Sequence, residues 1–226
     1  MNDPAPGRLA AAIVVAALVS LSGCGGSGGD ESTRVNGSVH IRAGNAADVA
    51  ETVNGSVDID PSATVTEAKT VNGGIHLGAG AQARSLTTVN GGITLEAGAQ
   101  VTGAVQTVNG SMTLRNGASV GESLENVNGK IELAAAHVGG AIKTISGSID
   151  IEGQSRVEHG IWVEKPSGLS IHLGNDVPRI VIGPGASVEG ELRFDRPVQL
   201  FVSDRATIGQ VVGATATLFS GDSPPG

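Results

Sequence analysis

Three side chains that can bind a metal ion recur at one regular spacing in the chain: His40, Asp58 and His76. Imidazole and carboxylate groups are ordinary zinc ligands, so a repeat that stacks these positions would bring them together. The pattern lacks a clear fourth protein ligand, and the sequence marks no pocket around it. We therefore interpret these residues as part of a solvated face, and we predict neither a metal nor another cofactor.

The remaining residues of catalytic type do not form a motif. His137, His159 and His172 stand singly, with no nucleophile or carboxylate at motif spacing. β-Helix enzymes that act on carbohydrates need long loops with clustered carboxylates, and hexapeptide acyltransferases need a strict hexad with a protruding loop. The first seven repeats of this chain have neither feature, and none of them contains the Gly-Gly-x-Gly-x-Asp calcium motif. We predict that the protein is not an enzyme.

The single cysteine, Cys24, is a candidate for lipidation. It follows the apolar run 9–21, which is too short to span a bilayer but suits the h-region of a signal peptide. Leu21-Ser22-Gly23-Cys24 resembles the bacterial lipobox. The resemblance implies a lipoprotein signal peptide at 1–23 and a lipidated Cys24 that anchors the chain in a membrane through two or more acyl chains. The alternative is an ordinary secretory cleavage site beside an incidental cysteine.

The residues after the cysteine indicate how the anchor is joined to the rest of the chain. Residues 24–34 comprise Cys24 and a Gly/Ser-rich segment that we predict to be a flexible tether. Gly25, rather than Asp, follows the cysteine, which resembles lipoproteins exported to the outer membrane. We expect a bacterial cell-envelope protein that is lipid-anchored at the outer membrane.

Asparagines in Val-Asn-Gly triplets form a second recurring set. If the repeats stack, their amides can bond to one another in a ladder, while the following glycines adopt positive φ. We predict a structural ladder rather than a ligand site. Its members are Asn36, Asn54, Asn72, Asn90, Asn109 and Asn128.

Threonine stands before most of these triplets. We predict that this column faces outward, because threonine favours strands, with ice binding as an alternative. Its members are Thr52, Thr70, Thr88, Thr107 and Thr144, with Asn126 interrupting.

The elements that position these residues follow from a repeat of about 18 or 19 residues. Its triplets begin at Val35, Val53, Val71, Val89, Val108 and Val127, with Ile145 as a seventh. Apolar residues alternate at the fourth and sixth positions after each of them, which is typical of a half-buried strand. Short strands and Gly-rich corners in a unit of this length predict an all-β, single-stranded parallel β-helix, or β-solenoid, of about ten coils.

This interpretation assigns residues 35–220 to the β-solenoid and residues 221–226 to a disordered tail. The period is predicted to continue beyond Ile145 at Val163, Ile180, Val198 and Ala216.

Composition supports the fold and excludes one class of partner. Glycine makes up 35 of 226 residues and aromatic residues only 2%, which suits a narrow interior filled by aliphatic columns. The net charge of −8 gives the surface no electrostatic reason to bind nucleic acid, so no such partner is predicted.

Two families resemble parts of the chain. Gly98-Ala-Gln-Val-Thr-Gly-Ala-Val105 and Gly185-Ala-Ser-Val-Glu-Gly-Glu-Leu192, with Ile180-Val-Ile-Gly-Pro-Gly leading into the second, make residues 98–213 similar to the bactofilins. That resemblance implies a β-helix and end-to-end self-association in a polymer-forming structural protein, although typical bactofilins are cytoplasmic. The Val-Asn-Gly repeats of 35–151 resemble adhesin-like β-solenoid domains of the cell envelope. We therefore expect a self-assembling envelope scaffold, with a surface module that binds a polysaccharide or protein as the alternative.

The aromatic residues all lie in the C-terminal third of the chain. They are Trp162, Phe194, Phe201 and Phe219. Rings do not fit a narrow repeated interior but suit an end of the rod, where strand edges and core must be covered. Phe219, just before the breaker Gly221-Asp-Ser-Pro-Pro, is the best candidate for an end cap or an interface between rods.

Overall fold

The computed structural model describes residues 31–166 and 177–224, and all regular secondary structure in these ranges is β-strand. The strands in chain order are β1 Glu31–Asn36, β2 Val39–Ile41, β3 Ala46–Asn54, β4 Val57–Ile59, β5 Thr64–Asn72, β6 Ile75–Leu77, β7 Gln82–Asn90, β8 Ile93–Leu95, β9 Gln100–Val101, β10 Val105–Asn109, β11 Met112–Leu114, β12 Ser119–Val120, β13 Leu124–Asn128, β14 Lys130–Ala134, β15 His137–Val138, β16 Ile142–Thr144, β17 Ser148–Glu152, β18 Arg156–Val157, β19 Ile161–Val163, β20 Arg179–Ile182, β21 Ser187–Val188, β22 Leu192–Phe194, β23 Gln199–Ser203, β24 Thr207–Ile208, β25 Val211–Val212 and β26 Ala216–Phe219.

These strands stack as a solenoid. All pairings between them are parallel, and each joins one coil to the next. One sheet holds a single strand from each of ten successive coils, in the order β2-β4-β6-β8-β11-β14-β17-β20-β23-β26. The predicted β-solenoid of about ten coils is confirmed, and at ~4.8 Å per coil the rod is about 50 Å long.

The core consists of aliphatic columns that run along the rod. The alternation predicted from sequence places one column on the inner side of the ten-stranded sheet from Ile41 to Val202, with every member at most 5% exposed. The full column is Ile41, Ile59, Leu77, Leu95, Leu114, Leu133, Ile151, Ile182 and Val202, ending in Leu218. Stacked Ile, Leu and Val side chains interdigitate at the strand spacing, which explains why rings are rare in the repeats.

Glycines set the corners between the remaining strands. In the second, third and fourth coils β3, β5 and β7 are continuous nine-residue strands. From Gly103 onward the equivalent segment is divided into two shorter strands, such as β9 and β10. A Cβ at Gly103 would lie 2.7 Å from the Arg84 carbonyl oxygen, and at Gly121 2.4 Å from that of Thr102. Only glycine permits such close stacking of backbone at the corner.

The glycines of the Val-Asn-Gly triplets serve the same purpose, so the prediction of positive φ was wrong for most of them. Of these six glycines only Gly37 and Gly129 have positive φ. At Gly73, Gly91 and Gly110 a Cβ would lie no more than 1.9 Å from the carbonyl oxygen of the preceding coil's glycine. A side chain is excluded by the coil beneath rather than by the local backbone conformation.

The threonine column faces inward, which corrects its predicted outward orientation. Thr52, Thr70 and Thr88 are at most 2% exposed, and each hydroxyl donates to the carbonyl oxygen of the preceding coil's triplet glycine at 2.8–2.9 Å. Asn126 makes the same bond to Gly110 with its amide at 2.8 Å. The column satisfies buried carbonyl groups at the corner. Because it is not on the surface, it does not offer an ice-binding face.

The regular period breaks after Ile145, contrary to prediction. Val163 lies opposite Thr144, but the partner of Ile149 on the next coil is Ile180, well beyond the usual spacing. Val198 belongs to no strand, and Ala216 follows Leu200. One coil therefore carries an insertion, which includes the undescribed residues 167–176.

The ends of the solenoid differ by a few residues from the predicted boundaries. Residues 31–34, predicted as tether, form part of β1, which pairs with β3. At the other end, Arg205 donates to the Gly221 carbonyl at 3.1 Å and to the Asp222 carboxylate at 2.9 Å. The described start of the predicted disordered tail is thus held against the last coils.

Candidate functional site

The predicted anchor lies outside the described residues. Cys24, the signal peptide 1–23 and the first part of the tether belong to the undescribed range 1–30. In the described part of the chain, no helix has the length and apolarity to cross a membrane.

Asparagine amides form a continuous row of bonds on the outer surface. Asn54 donates to Asn36, Asn72 to Asn54, Asn90 to Asn72 and Asn109 to Asn90, at 3.0–3.1 Å. Asn128 stands opposite Asn109 in register, but no side-chain bond joins these two described residues. All six asparagines are exposed, so the row lies on the surface of the rod. Its amides are accessible to solvent, and each internal member uses one donor and one acceptor within the row.

The outward column that contains His40, Asp58 and His76 is stacked in register. Its histidines turn to other carboxylates: His40 Nε2 lies 2.8 Å from Asp60, and His76 Nδ1 lies 4.0 Å from Glu96. Glu96 also pairs with Arg115 at 3.3 Å. Within residues 31–166 and 177–224, no three His, Cys, Asp or Glu side chains are grouped as metal ligands.

One outer face carries a mixed charged and aromatic patch, which we name the Trp162 patch: Glu125, Lys143, Trp162, Glu164 and Arg193. The first three and Arg193 occupy one outward column on successive coils. Lys143 Nζ lies 3.3 Å from Glu125 and 5.2 Å from the centroid of the Trp162 ring. Gln106 and Ser123 each donate to the Glu125 carboxylate at 2.9 Å.

The patch also changes the titration of one of its acids. Partial burial raises the pKa of Glu164, and Lys143 opposes this effect. A half-exposed indole beside charged groups is a surface that can stack on a ligand ring or hold a polar chain.

The C-terminal end of the rod exposes the last residue of a core column. Leu218 is 72% exposed, although Val202, its partner on the preceding coil, is only 3% exposed. Val212 is 40% exposed on the last strand of another face. β24, β25 and β26 are the final strands of their stacks, so each has one unpaired edge among the described residues.

Phe219 lies inside this end rather than on it. Its side chain is 6% exposed, and its carbonyl oxygen accepts a bond from the Asp204 amide at 3.0 Å. Phe194 is similarly buried at 4%, whereas Phe201 lies on the outer side beneath Arg179, 4.9 Å from ring centroid to guanidinium carbon. The geometry of Phe219 fits an intramolecular cap better than an interface.

Sequence reasoning missed Leu218 as the exposed apolar residue. The signal was present in the alternation of Ala216-Thr-Leu-Phe219, where Ala216 and Leu218 share one side of the strand. The break in period after Ile145 obscured which core column this strand continues.

Comparison of the chain with protein-family models, with curated proteins and with solved structures gave no match. The class defined by the fold is therefore the β-solenoid itself.

Proposed function

We propose that this protein is a lipid-anchored β-solenoid of the bacterial cell envelope that acts as a self-assembling structural scaffold. The anchor is Cys24, and the contact between copies is formed by the C-terminal ends of two rods. The observation that carries the proposal is the exposure of Leu218, at 72%, at the end of an otherwise buried column.

An open β-solenoid end is suited to association because it combines unpaired strand edges with apolar core residues. A second rod would cover Leu218 and pair with the free edge of β26. Two identical ends can meet across a two-fold axis, which gives a closed pair rather than an open chain. In such a pair the first coils of the two rods, which begin with β1, lie at opposite ends.

The assembly is tested by multi-angle light scattering of the purified full chain in detergent. We expect the wild-type protein to form pairs of chains and Leu218→Asp to be a single chain, because a carboxylate at the contact would be buried without a partner. Thr217→Asp is the matched control, since Thr217 is one residue away on the outer side of the same strand. Single wild-type chains at all concentrations would contradict the assembly.

The anchor is tested separately. Mass spectrometry of Cys24 from the native host should show an acylated residue, and Cys24→Ala should release the protein from membranes. An unmodified Cys24 would contradict anchoring without affecting the test of assembly.

The Trp162 patch favours a second candidate function, a surface module that binds a polysaccharide. The half-exposed indole stands in an outward column between Lys143 and Arg193, whose charged groups can bond to sugar hydroxyls. Trp162 is the only tryptophan, so its fluorescence reports directly on the patch. Titration with soluble peptidoglycan fragments should quench or shift this emission if the module binds glycan, and Lys143→Ala should weaken the response. An unchanged spectrum would argue against this candidate.

A further inference from the structure

A cavity of about 440 Å³ lies at the N-terminal end of the rod, between β1, β2 and the beginning of β3. Its size is within the range of about 300–1,000 Å³ that is typical of small-molecule sites. Ile41 and Ala47, at the start of the core columns, contribute apolar surface. The polar lining residues are Ser32, Arg34, Ser38, His40, Arg42 and Asn45.

The register explains why this end is polar. Arg34 pairs with Thr52 and therefore occupies, in the first coil, the column that is threonine in the next four coils. Ser32 pairs with Ala50, which belongs to an inward apolar column. Where a solenoid core would otherwise begin with small or apolar side chains, this chain places a hydroxyl and a guanidinium group.

The two arginines of the cavity have no partner among the described residues. Neither Arg34 nor Arg42 forms an ion pair or a side-chain hydrogen bond with another described residue, whereas His40 is paired with Asp60 at 2.8 Å. Most other described arginines are paired with a carboxylate, a carbonyl or an aromatic ring. Two such guanidinium groups in one cavity, in a chain of net charge −8, leave donors available for an anion.

We propose that this cavity is a binding site for a phosphate group. The planar forks of Arg34 and Arg42 match pairs of phosphate oxygens, and the Ser32 and Ser38 hydroxyls and the Asn45 amide supply further donors. The cavity is larger than a phosphate ion, so it has room for the group to which a phosphate ester is attached. That phosphate has two sources, a soluble phosphate compound or the headgroup of a lipid in the membrane that holds the anchor. The second source rests on the proposed lipid anchoring, and the first does not.

The site is tested by mapping phenylglyoxal modification of arginines by mass spectrometry, on the full chain in detergent. Inorganic phosphate at about ten times its Kd should slow modification of Arg34 and Arg42 roughly tenfold, because protection follows 1 + [L]/Kd. Arg84 is the internal control, since it is exposed, on the fourth coil and in no ion pair with another described residue. Its rate should not change. Acetate at equal ionic strength should protect none of the three residues.

The variant Arg34→Gln tests whether Arg34 and Arg42 bind one phosphate together or each attract phosphate independently. Arg34→Gln should remove the protection of Arg42 by phosphate, whereas Arg84→Gln should leave it intact. Equal protection of Arg84 and Arg42, protection by acetate, or no protection by phosphate at all would overturn the proposal and leave Arg34 as a polar end cap.

The source of the phosphate is determined by repeating the phenylglyoxal modification experiment on the protein in lipid nanodiscs without added inorganic phosphate. Protection in discs that contain phosphatidic acid, whose headgroup is an exposed phosphate monoester, would assign the site to a lipid headgroup if discs of pure phosphatidylcholine, whose phosphate is a diester beneath a choline cation, give no protection. Protection only after addition of inorganic phosphate would assign it to a soluble compound. If Cys24 proves unmodified while free phosphate still protects both arginines, the anchoring fails and the phosphate site stands.

Discussion

The two ends of the rod close the same stack of strands in opposite ways. At the N-terminal end, Ile41 is 5% exposed, and Ser32 and Arg34 occupy, in the first coil, columns that are buried in the next. At the C-terminal end, Leu218 continues the Ile41 column and is 72% exposed. In a solenoid each coil packs only against its neighbours, so the first and last coils each leave one side uncovered. The residues that close that side must differ from those of the repeat. The comparison indicates that one end is built for polar contacts and the other for apolar contacts, which disfavours continuous head-to-tail stacking.

The largest expected effect on stability tests how the C-terminal end is closed from within. Phe219→Asp should lower the free energy of unfolding by about 3 kcal/mol, because it removes a buried ring and inserts a charge. Particle size should not change if Phe219 is only a cap. Thermal melting and light scattering on the same sample provide both readouts.

Phe201 provides the control for this prediction. It lies at the same end but on the outer side, under Arg179, so Phe201→Asp should cost no more than about 1 kcal/mol. A stable Phe219→Asp variant that loses its partner chain would instead make Phe219 an interface residue.

The next largest effect is expected at the glycine of the repeat triplet, where the first coil can be compared with the middle of the rod. At Gly110 a Cβ would lie 1.8 Å from the carbonyl oxygen of Gly91, so Gly110→Ala should cost about 2 kcal/mol or more through forced separation of coils. At Gly37 a Cβ meets nothing within 4 Å, and Gly37→Ala should cost about 1 kcal/mol for its φ of +103°. Chemical denaturation measures both. Equal losses would show that backbone conformation, rather than the coil beneath, determines the need for glycine.

A smaller effect is expected along the asparagine row. Asn90 donates to Asn72 and accepts from Asn109, whereas Asn36 only accepts from Asn54. Asn90→Ala should therefore cost about 1 kcal/mol and Asn36→Ala about 0.5 kcal/mol, both reduced by exposure to solvent. Asn128→Ala is the control, because its side chain is not bonded to Asn109 in the row, and its stability should match that of the wild type. Identical losses in all three variants would exclude a contribution of the row to stability.

The smallest expected effect on stability is at Glu164, in the Trp162 patch on the side of the rod, away from both ends. Burial raises the pKa of Glu164, so the folded state favours the protonated acid. Stability from this group is complete below its unfolded pKa and is lost as the pH rises through the folded value. Because Glu164 is only partly buried, solvent screens the effect, and Glu164→Gln should stabilise the protein at neutral pH by no more than about 0.5 kcal/mol and have no such effect at about pH 3. A variant that is less stable than the wild type at neutral pH would contradict this assignment.

Most of the fold could be predicted from the sequence because its period and its alternation are both explicit. Val39 and Ile41 stand on the same side of a strand, and apolar residues recur at their two positions along the chain. This alternation specifies the inward face of the strand, and its recurrence specifies the parallel stacking and the number of coils. The facing of the threonines could not be predicted in this way. Thr52 and Val53 are adjacent and both favour strands, so strand propensity does not distinguish them, whereas in the structure Thr52 points inward and donates to the Gly37 carbonyl.

The properties of the ends were harder to predict than the repeat. The exposure of Leu218 depends on which column its strand continues, and the long coil between Ile149 and Ile180 breaks the count that would assign it. The N-terminal cavity depends on Arg34 pairing with Thr52, yet residues 31–34 resemble a polar tether in sequence. The sequence repeat is therefore enough to predict the central coils of the rod, whereas predicting the two ends requires the pairing register of their strands.

Electron microscopy of the full chain in detergent, with negative stain, tests the central claim most directly. One rod is about 50 Å long, so pairs joined at their C-terminal ends should appear as particles of about 100 Å. Leu218→Asp should return them to the length of a single rod, while Thr217→Asp should not. Single rods in the wild-type protein at every concentration would contradict the scaffold, and continuous filaments would contradict the assignment of the contact to one end.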